Sequence, residues 1–222
     1  MYQAIMPGRF ITFEGGEGAG KSTQVRLLAE RLKAAGITTL VTREPGGTAT
    51  AESIRRLLLS GLAEQLGVDG EAVLFAAARA DHVEHVIRPA LDAGQWVLCD
   101  RFFDSTHVYQ SRADASFLDA LDRVAVGRTR PDLTIMLDVP AEVGMARAAA
   151  RMAASGKAPD RFERDAIALH ETRRQAFLKI AATAPTRCVV IDAARPQAAV
   201  ADAVWRAVEG RLMRHAAPQP EG

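Results

Sequence analysis

The run from Phe10 to Thr23, FITFEGGEGAGKST, holds the residue types and spacing best suited to chemistry. An apolar, β-prone stretch ends at Gly15, and from there the chain reads G-x-x-x-x-G-K-S. Gly15, Gly16, Gly18 and Gly20 allow a tight turn whose N–H groups point inward, where they can hold phosphate oxygens. Glu17 and Ala19 complete the loop interior, and Thr23 follows it. Lys21 can reach β- and γ-phosphates, and the Ser22 hydroxyl can ligate Mg²⁺. A plain Gly-rich turn beside a lysine is the competing explanation. Context argues against it, because a strand precedes the loop and a helix follows. Val25, Leu28, Ala29 and Leu32 fall on one helical face, and Gly36 is a stop signal. The helix also turns its positive end toward the phosphates. The stretch therefore predicts a nucleoside-triphosphate site spanning Gly15 to Thr23.

A second candidate is Asp100-Arg101, directly after the apolar Val97, Leu98 and Cys99. An aspartate at a strand end is commonly a helix cap or a solvated charge. Beside a phosphate loop, a carboxylate facing Mg²⁺ directly or through water is the better reading, since phosphoryl chemistry needs one on the metal side. Glu44 and Asp192 also follow strand-like segments. In open α/β sheets, ligands bind beyond the carboxyl ends of the strands, so these groups converge with the loop.

The positioning elements alternate between strand and helix, the pattern of a parallel sheet covered on both faces. Strands are predicted at Arg9–Glu14, Thr38–Thr42, Trp96–Cys99, Leu133–Val139 and Cys188–Ile191. Helices are predicted after the loop and at Glu52–Ser60, Glu71–Ala93, Ser116–Val126, Ala141–Ala154, Arg164–Ala182 and Gln197–Met213, with a break at Ser155–Pro159. The expected fold is α/β, a P-loop NTPase with a five-stranded parallel sheet, helices on both faces and a helical lid at about 147–163. The 222 residues suffice for one such domain. The tail His215–Gly222 and part of Met1–Gly8 are expected to be disordered.

A net charge of +1 gives no global field for nucleic acid or an anionic membrane. No long apolar span suggests a membrane segment. The two cysteines, Cys99 and Cys188, sit in apolar runs without metal spacing and are read as buried thiols of a reduced cytosolic protein. His82, His85 and His170 fall on helices without metal spacing and are read as solvated or capping residues.

Several blocks together resemble the bacterial thymidylate kinases, among the nucleoside monophosphate kinases. They are Phe13–Ser22 (FEGGEGAGKS), Thr42–Thr48 (TREPGGT), Leu74–Arg79 (LFAAAR), Val86–Leu91 (VIRPAL), Asp100-Arg101 through Tyr109-Gln110, Arg130–Thr134 and Leu137–Val139. The resemblance runs from about Arg9 to about Met213. It implies transfer of the ATP γ-phosphoryl group to dTMP with Mg²⁺, in a cytoplasmic homodimer. It implies that Phe75 stacks on thymine and that Arg79, one turn further along the same face, contacts the base. Arg101 is then the holder of the monophosphate. Glu44, Ser105, Thr106 and Tyr109 are further dTMP-side positions, with Tyr109 disfavouring a ribose 2′-hydroxyl. Glu17 falls where this type carries an acid near the sugar and phosphate.

The loop interior lacks an arginine, so the cation for the transition state must come from elsewhere, and the lid segment is cationic. The resemblance points to Arg151, with Arg147, Lys157 and Arg161 as competitors because Met152–Pro159 lengthens the segment. Adenine contacts are expected around Asp192–Arg195. Fine substrate contacts depart from the pattern at His107, Val108 and Ser111. Two other functions remain open: a kinase for a different nucleoside or nucleoside monophosphate, or a P-loop switch. No Asn-Lys-x-Asp run for guanine is present, which argues against a GTPase switch.

Overall fold

Strand β1 (Phe10–Glu14) is buried along its whole length, as an apolar strand at the centre of a parallel sheet must be. A computed structural model describes residues 8–155, 162 and 165–213 of the chain. Around β1 run β2 (Thr39–Arg43), β3 (Trp96–Asp100), β4 (Leu133–Asp138) and β5 (Cys188–Asp192), in the order β2-β3-β1-β4-β5. Every pairing is parallel. The expected five-stranded sheet is therefore present, and its carboxyl ends all point the same way.

Side chains alternate across the sheet. Ile11, Phe13, Leu98, Ile135 and Leu137 face one layer, where they meet Val25, Leu28 and Leu32 of α1 (Lys21–Ala34) and Val204 and Val208 of α9 (Gln197–Val208). Phe10, Val97 and Cys99 face the other, against Val83, Ile87, Phe102 and Phe103. Each fully buried side chain of this kind contributes roughly 1.5–3 kcal/mol. Both cysteines are buried free thiols, as expected.

The helices depart from the sequence expectation in places with local causes. Helix α2 (Ala49–Ser60) starts before Glu52 because the Thr48 hydroxyl accepts the Ala51 N–H at 2.9 Å. The long helix expected over Glu71–Ala93 begins earlier, as α3 (Gly67–His82), and passes through a π-turn (Val83–Ile87) into α4 (Arg88–Asp92). Pro89 explains the widened turn: it has no N–H, and its ring would clash with the carbonyl four residues back. Helix α5 (Phe103–Tyr109) was not anticipated; its 7 residues are too few to show a period. Helices α6 (Ala115–Ala125), α7 (Ala141–Ser155) and α8 (Ile167–Thr183) follow the expected order. The expected start of α8 at Arg164 lies outside the described residues, as do Lys157, Arg161 and His215–Gly222. The lid segment is described only to the end of α7 and at Phe162. Among the described residues, no helix is long and apolar enough to cross a membrane.

Candidate active site

The phosphate loop leaves β1 and enters α1, pressed against two neighbours. A Cβ on Gly15, at φ +139°, would stand 2.4 Å from the Leu137 carbonyl oxygen. One on Gly18, at φ +67°, would stand 1.9 Å from that of Gly144 on α7. Only glycine fits these positions. Lys21 folds back over the loop, its Nζ donating to the carbonyls of Gly15 (3.0 Å) and Gly16 (2.8 Å). Burial, assisted by nearby Arg101, lowers its pKa to about 8. The ammonium thus sits poorly solvated against the carbonyls of its own loop.

Ser22 and Asp100 meet across the site, the hydroxyl donating to Asp100 Oδ2. One hydroxyl and one carboxylate form a hard oxygen set of the kind Mg²⁺ uses when phosphates and waters supply its other ligands. Among the described residues, no cluster of three or more His, Cys, Asp or Glu side chains could hold a metal. The fit is therefore to a cation that shares its shell with a nucleotide.

Arg101 organises the adjoining side. Its φ of +70° makes it the single non-glycine residue with positive φ among the described residues. Its Nη1 donates to Gly15 O (3.3 Å) and Ser105 Oγ (3.1 Å), and its Nη2 to Glu17 Oε1 (2.5 Å) and Tyr109 Oη (3.2 Å). Tyr109 donates to the same Glu17 oxygen at 2.9 Å. Burial pushes the Glu17 carboxyl up, but Arg101 and Lys21 outweigh it and hold it at about 2. Two guanidiniums lie over the Tyr109 ring, Arg101 at 5.0 Å and Arg173 of α8 at 4.5 Å.

Further along, half-buried Phe75 and buried Arg79 project from α3 into the same cleft. Arg79 donates through Nε to Glu44 (2.8 Å) and through Nη2 to Thr106 (2.9 Å). Glu44 also bonds His82 Nδ1 at 3.1 Å, and His82 Nε2 bonds Thr42 Oγ1 at 2.7 Å. His82 is therefore not the solvated or capping residue expected. It is fully buried and fixes the carboxylate that fixes Arg79. His170 is buried as well, and burial lowers its pKa. His85 is exposed, bonded to the Asp81 carbonyl one turn back, as a solvated helix residue should be.

One cleft of about 360 Å³ joins the two sides of the site. It gathers Glu17, Gly18, Gly20, Lys21, Ser22 and Thr23 of the loop segment with Asp100, Arg101, Ser105, Thr106, Tyr109, Glu44, Phe75 and Arg79. Arg151, exposed on α7, lines it too. Gly15, Gly16 and Ala19 are not on this wall. Arg147 points elsewhere, donating to the carbonyls of Ala193 (2.7 Å) and Ala194 (3.2 Å) between β5 and α9. Asp192 caps that turn through the Ala194 N–H (2.9 Å) and does not line the cleft.

Sequence reasoning missed Gln110, Arg55 and Glu14. Gln110 lines the cleft and is buried; its Nε2 bonds Glu71 at 3.1 Å, while its Oε1 has no partner. The Tyr-Gln pair was visible in the sequence, but nothing there showed an unsatisfied amide oxygen. Arg55 of α2 also lines the cleft, bonded to the Pro45 carbonyl at 2.9 Å. Glu14 lies beneath the cleft, fully buried.

A phosphate loop on the central strand, Ser22 and Asp100 paired beside it and an Arg-lined remainder of the same cleft define a P-loop phosphotransferase. The family model described as thymidylate kinase matches residues 13–204. A thymidylate kinase of Nitrobacter winogradskyi is 58% identical over 209 residues, covering 93% of this chain and 90% of that protein. One of Rhodopseudomonas palustris is 56% identical over 213 residues, covering 94% and 92%. The crystal structure of thymidylate kinase from Ehrlichia chaffeensis superposes with a TM-score of 0.71 at 34% identity, covering 91% of this chain and 99% of that one. The chain belongs to the thymidylate kinase family.

Proposed function

We propose that the protein transfers the γ-phosphoryl group of ATP to dTMP, with Mg²⁺, giving dTDP and ADP on the route to dTTP. The observation that carries this reading is the single cleft holding Lys21, Ser22 and Asp100 at one end and Arg101, Tyr109, Phe75 and Arg79 at the other. Gly15 to Thr23 cradle the ATP phosphates, and Ser22 and Asp100 face the metal ion, which neutralises charge on the phosphates when bound. Arg101 holds the dTMP phosphate, where a planar fork suits two oxygens. Ser105 supports that guanidinium. Phe75 offers a face for the base. Thr106 and Glu44 orient Arg79, whose guanidinium suits a pyrimidine carbonyl. The unpartnered Gln110 Oε1 suits a ring N–H. Tyr109, tied to Glu17 and Arg101, closes the sugar side.

In the reaction an oxygen of the dTMP phosphate attacks the γ-phosphorus as the bond to the β,γ-bridging oxygen breaks. Charge gathers on the equatorial oxygens, so catalysis is positioning plus cations. Lys21, Arg101 and Arg151 supply those cations. The chain acts as one kinase domain, its lid at about 147–163. Small-molecule substrates, with no nucleic acid or membrane partner, fit a cytoplasmic enzyme. Exposed Leu57 on α2, Leu62 and Leu66 on the 3₁₀ turn that follows it (Leu62–Leu66) and Val73 on α3 offer apolar surface to a second copy, consistent with a homodimer. Light scattering at twice the chain mass supports that assembly, and a monomer counts against it.

Incubation with ATP, Mg²⁺ and dTMP, scored for dTDP, tests the activity. The expected outcome is dTDP and ADP in equal amounts. ADP without dTDP points to slow hydrolysis by a binding module, and faster phosphorylation of another nucleotide moves the acceptor assignment.

A further inference from the structure

The backbone at Arg101 poses a problem that the substrate contacts do not solve. A φ of +70° is unfavourable for arginine and persists only where the surroundings over-determine it. Several bonds do so. The Arg101 N–H donates to Phe13 O (2.9 Å), and the Cys99 thiol donates to Arg101 O (3.0 Å). The next N–H, of Phe102, donates to Glu14 Oε1 at 2.7 Å. The other oxygen of that carboxyl, Oε2, accepts from the Ser105 hydroxyl at 2.6 Å, and Ser105 Oγ accepts from the Arg101 guanidinium at 3.1 Å. One side chain thus grips the main chain just past Arg101 and the hydroxyl under its head group.

Glu14 is 0% exposed and does not line the cleft. Burying a carboxyl is costly unless its bonds accomplish something, and an apolar residue would pack the sheet at less expense. We infer that Glu14 is the positioning residue for Arg101, clamping the turn between β3 and α5 so that the guanidinium is already aimed at the acceptor phosphate. This rests on the reading of Arg101 as the monophosphate holder. The charge state agrees with a neutral clamp. Burial, with help from nearby Asp104, pushes the Glu14 carboxyl up to about 8, against the pull of Ser105, Arg101 and the Phe102 N–H. Glutamine, which is neutral and isosteric, can therefore stand in for it: its oxygen accepts from the Phe102 N–H, and its amide donates to Ser105 Oγ, reversing the Ser105-to-Glu14 bond while Ser105 still accepts from Arg101.

The competing explanation is a structural cap for α5 with no special tie to Arg101. Steady-state kinetics on the full chain, with dTMP and ATP varied separately, decide between them. The variants are Glu14→Ala, Glu14→Gln, Arg101→Ala and the Glu14→Ala/Arg101→Ala double. Expected for Glu14→Ala is a dTMP KM raised about tenfold or more, with the ATP KM within about twofold of wild type. Glu14→Gln recovers most of the loss. In the Arg101→Ala background, Glu14→Ala adds less than about twofold, because its effect runs through the missing arginine. Equal effects in both backgrounds, equal rises in both KM values, or a Gln variant as impaired as Ala each overturn the proposal. Should Glu14→Ala fail to fold, Glu14→Asp carries the same comparisons, since it keeps an acid but withdraws it by one methylene. An unchanged dTMP KM in Arg101→Ala removes the reading of Arg101 and this proposal with it. A raised KM there with none in Glu14→Ala removes this proposal alone.

Discussion

Lys21 shows how a residue can oppose the fold and serve the reaction. Its ammonium is buried at the end of the loop and bonded only to carbonyls, and its pKa falls to about 8. In the proposed reaction, the nucleotide phosphates supply its counter-charge. Lys21→Ala is expected to lower kcat by about 10²–10³-fold, the scale seen when a preorganised charge-stabilising group is removed. Its melting temperature should equal or exceed that of wild type, because a poorly solvated charge is gone. A folded variant within a few-fold of wild-type turnover sinks the assignment. For Tyr109, wedged between Glu17 and two guanidiniums, Tyr109→Ala should narrow the kcat/KM gap between dTMP and its ribose analogue, chiefly by improving the analogue. An unchanged ratio leaves Tyr109 as packing. Lys21 and Ser22 were singled out by the spacing of the phosphate loop and Asp100 by its place at a strand end, whereas Arg101 and Tyr109 were singled out by the family resemblance; all five line the cleft. Glu14, Gln110 and His82 were not legible, because their meaning lies in partners far along the chain: His82 in Thr42 and Glu44, Glu14 in Phe102 and Ser105.

Among the elements, α7 separates two lid cations that the sequence left in competition. Arg147 is committed to the carbonyls of Ala193 and Ala194, whereas Arg151, one turn on, lines the cleft. Of these two, Arg151 is therefore the one we propose for the transition-state contact. Arg151→Ala is expected to lower kcat on the order of 10³-fold, as arginine-finger losses do, with a smaller rise in the dTMP KM. Arg147→Ala should raise the ATP KM a few-fold and spare kcat, since it braces the turn where adenine is expected. Kinetics on both variants and on Lys157→Ala decide the matter: wild-type kcat in Arg151→Ala with a loss in Lys157→Ala moves the cation into the inserted segment. Strands β1, β3 and β4 were legible because buried parallel strands read as short apolar runs. Helix α5 was not, being too brief for a period, and the π-turn before Pro89 shows only as a proline inside a helical pattern.

At the scale of the whole molecule, the alternation of elements foretold a parallel sheet but not the order β2-β3-β1-β4-β5, which depends on pairings distant in sequence. The fold also stacks opposed ionisable groups under one site, and stability should record them as pH changes. Glu17 is held at about 2, below the ordinary 4.5, so its contribution is present above pH 4.5 and lost as pH falls toward 2. Glu14 runs the other way. Its carboxyl is raised from 4.5 to about 8, so its contribution is complete below pH 4.5 and lost as pH rises toward 8, where the unfolded chain has already released the proton. A shift of that size amounts to about 4 kcal/mol across the window. Glutamine at this position cannot titrate. Urea unfolding of wild type and Glu14→Gln at intervals from pH 4.5 to pH 8 should therefore give curves that diverge, with the wild type losing on the order of 4 kcal/mol relative to the variant. His107, whose pKa is raised by its bond to Asp122, is present in both chains and cancels from the difference. Parallel curves over that range would mean that Glu14 is ionised in the fold, and that its bonds to Phe102 and Ser105 are those of a carboxylate.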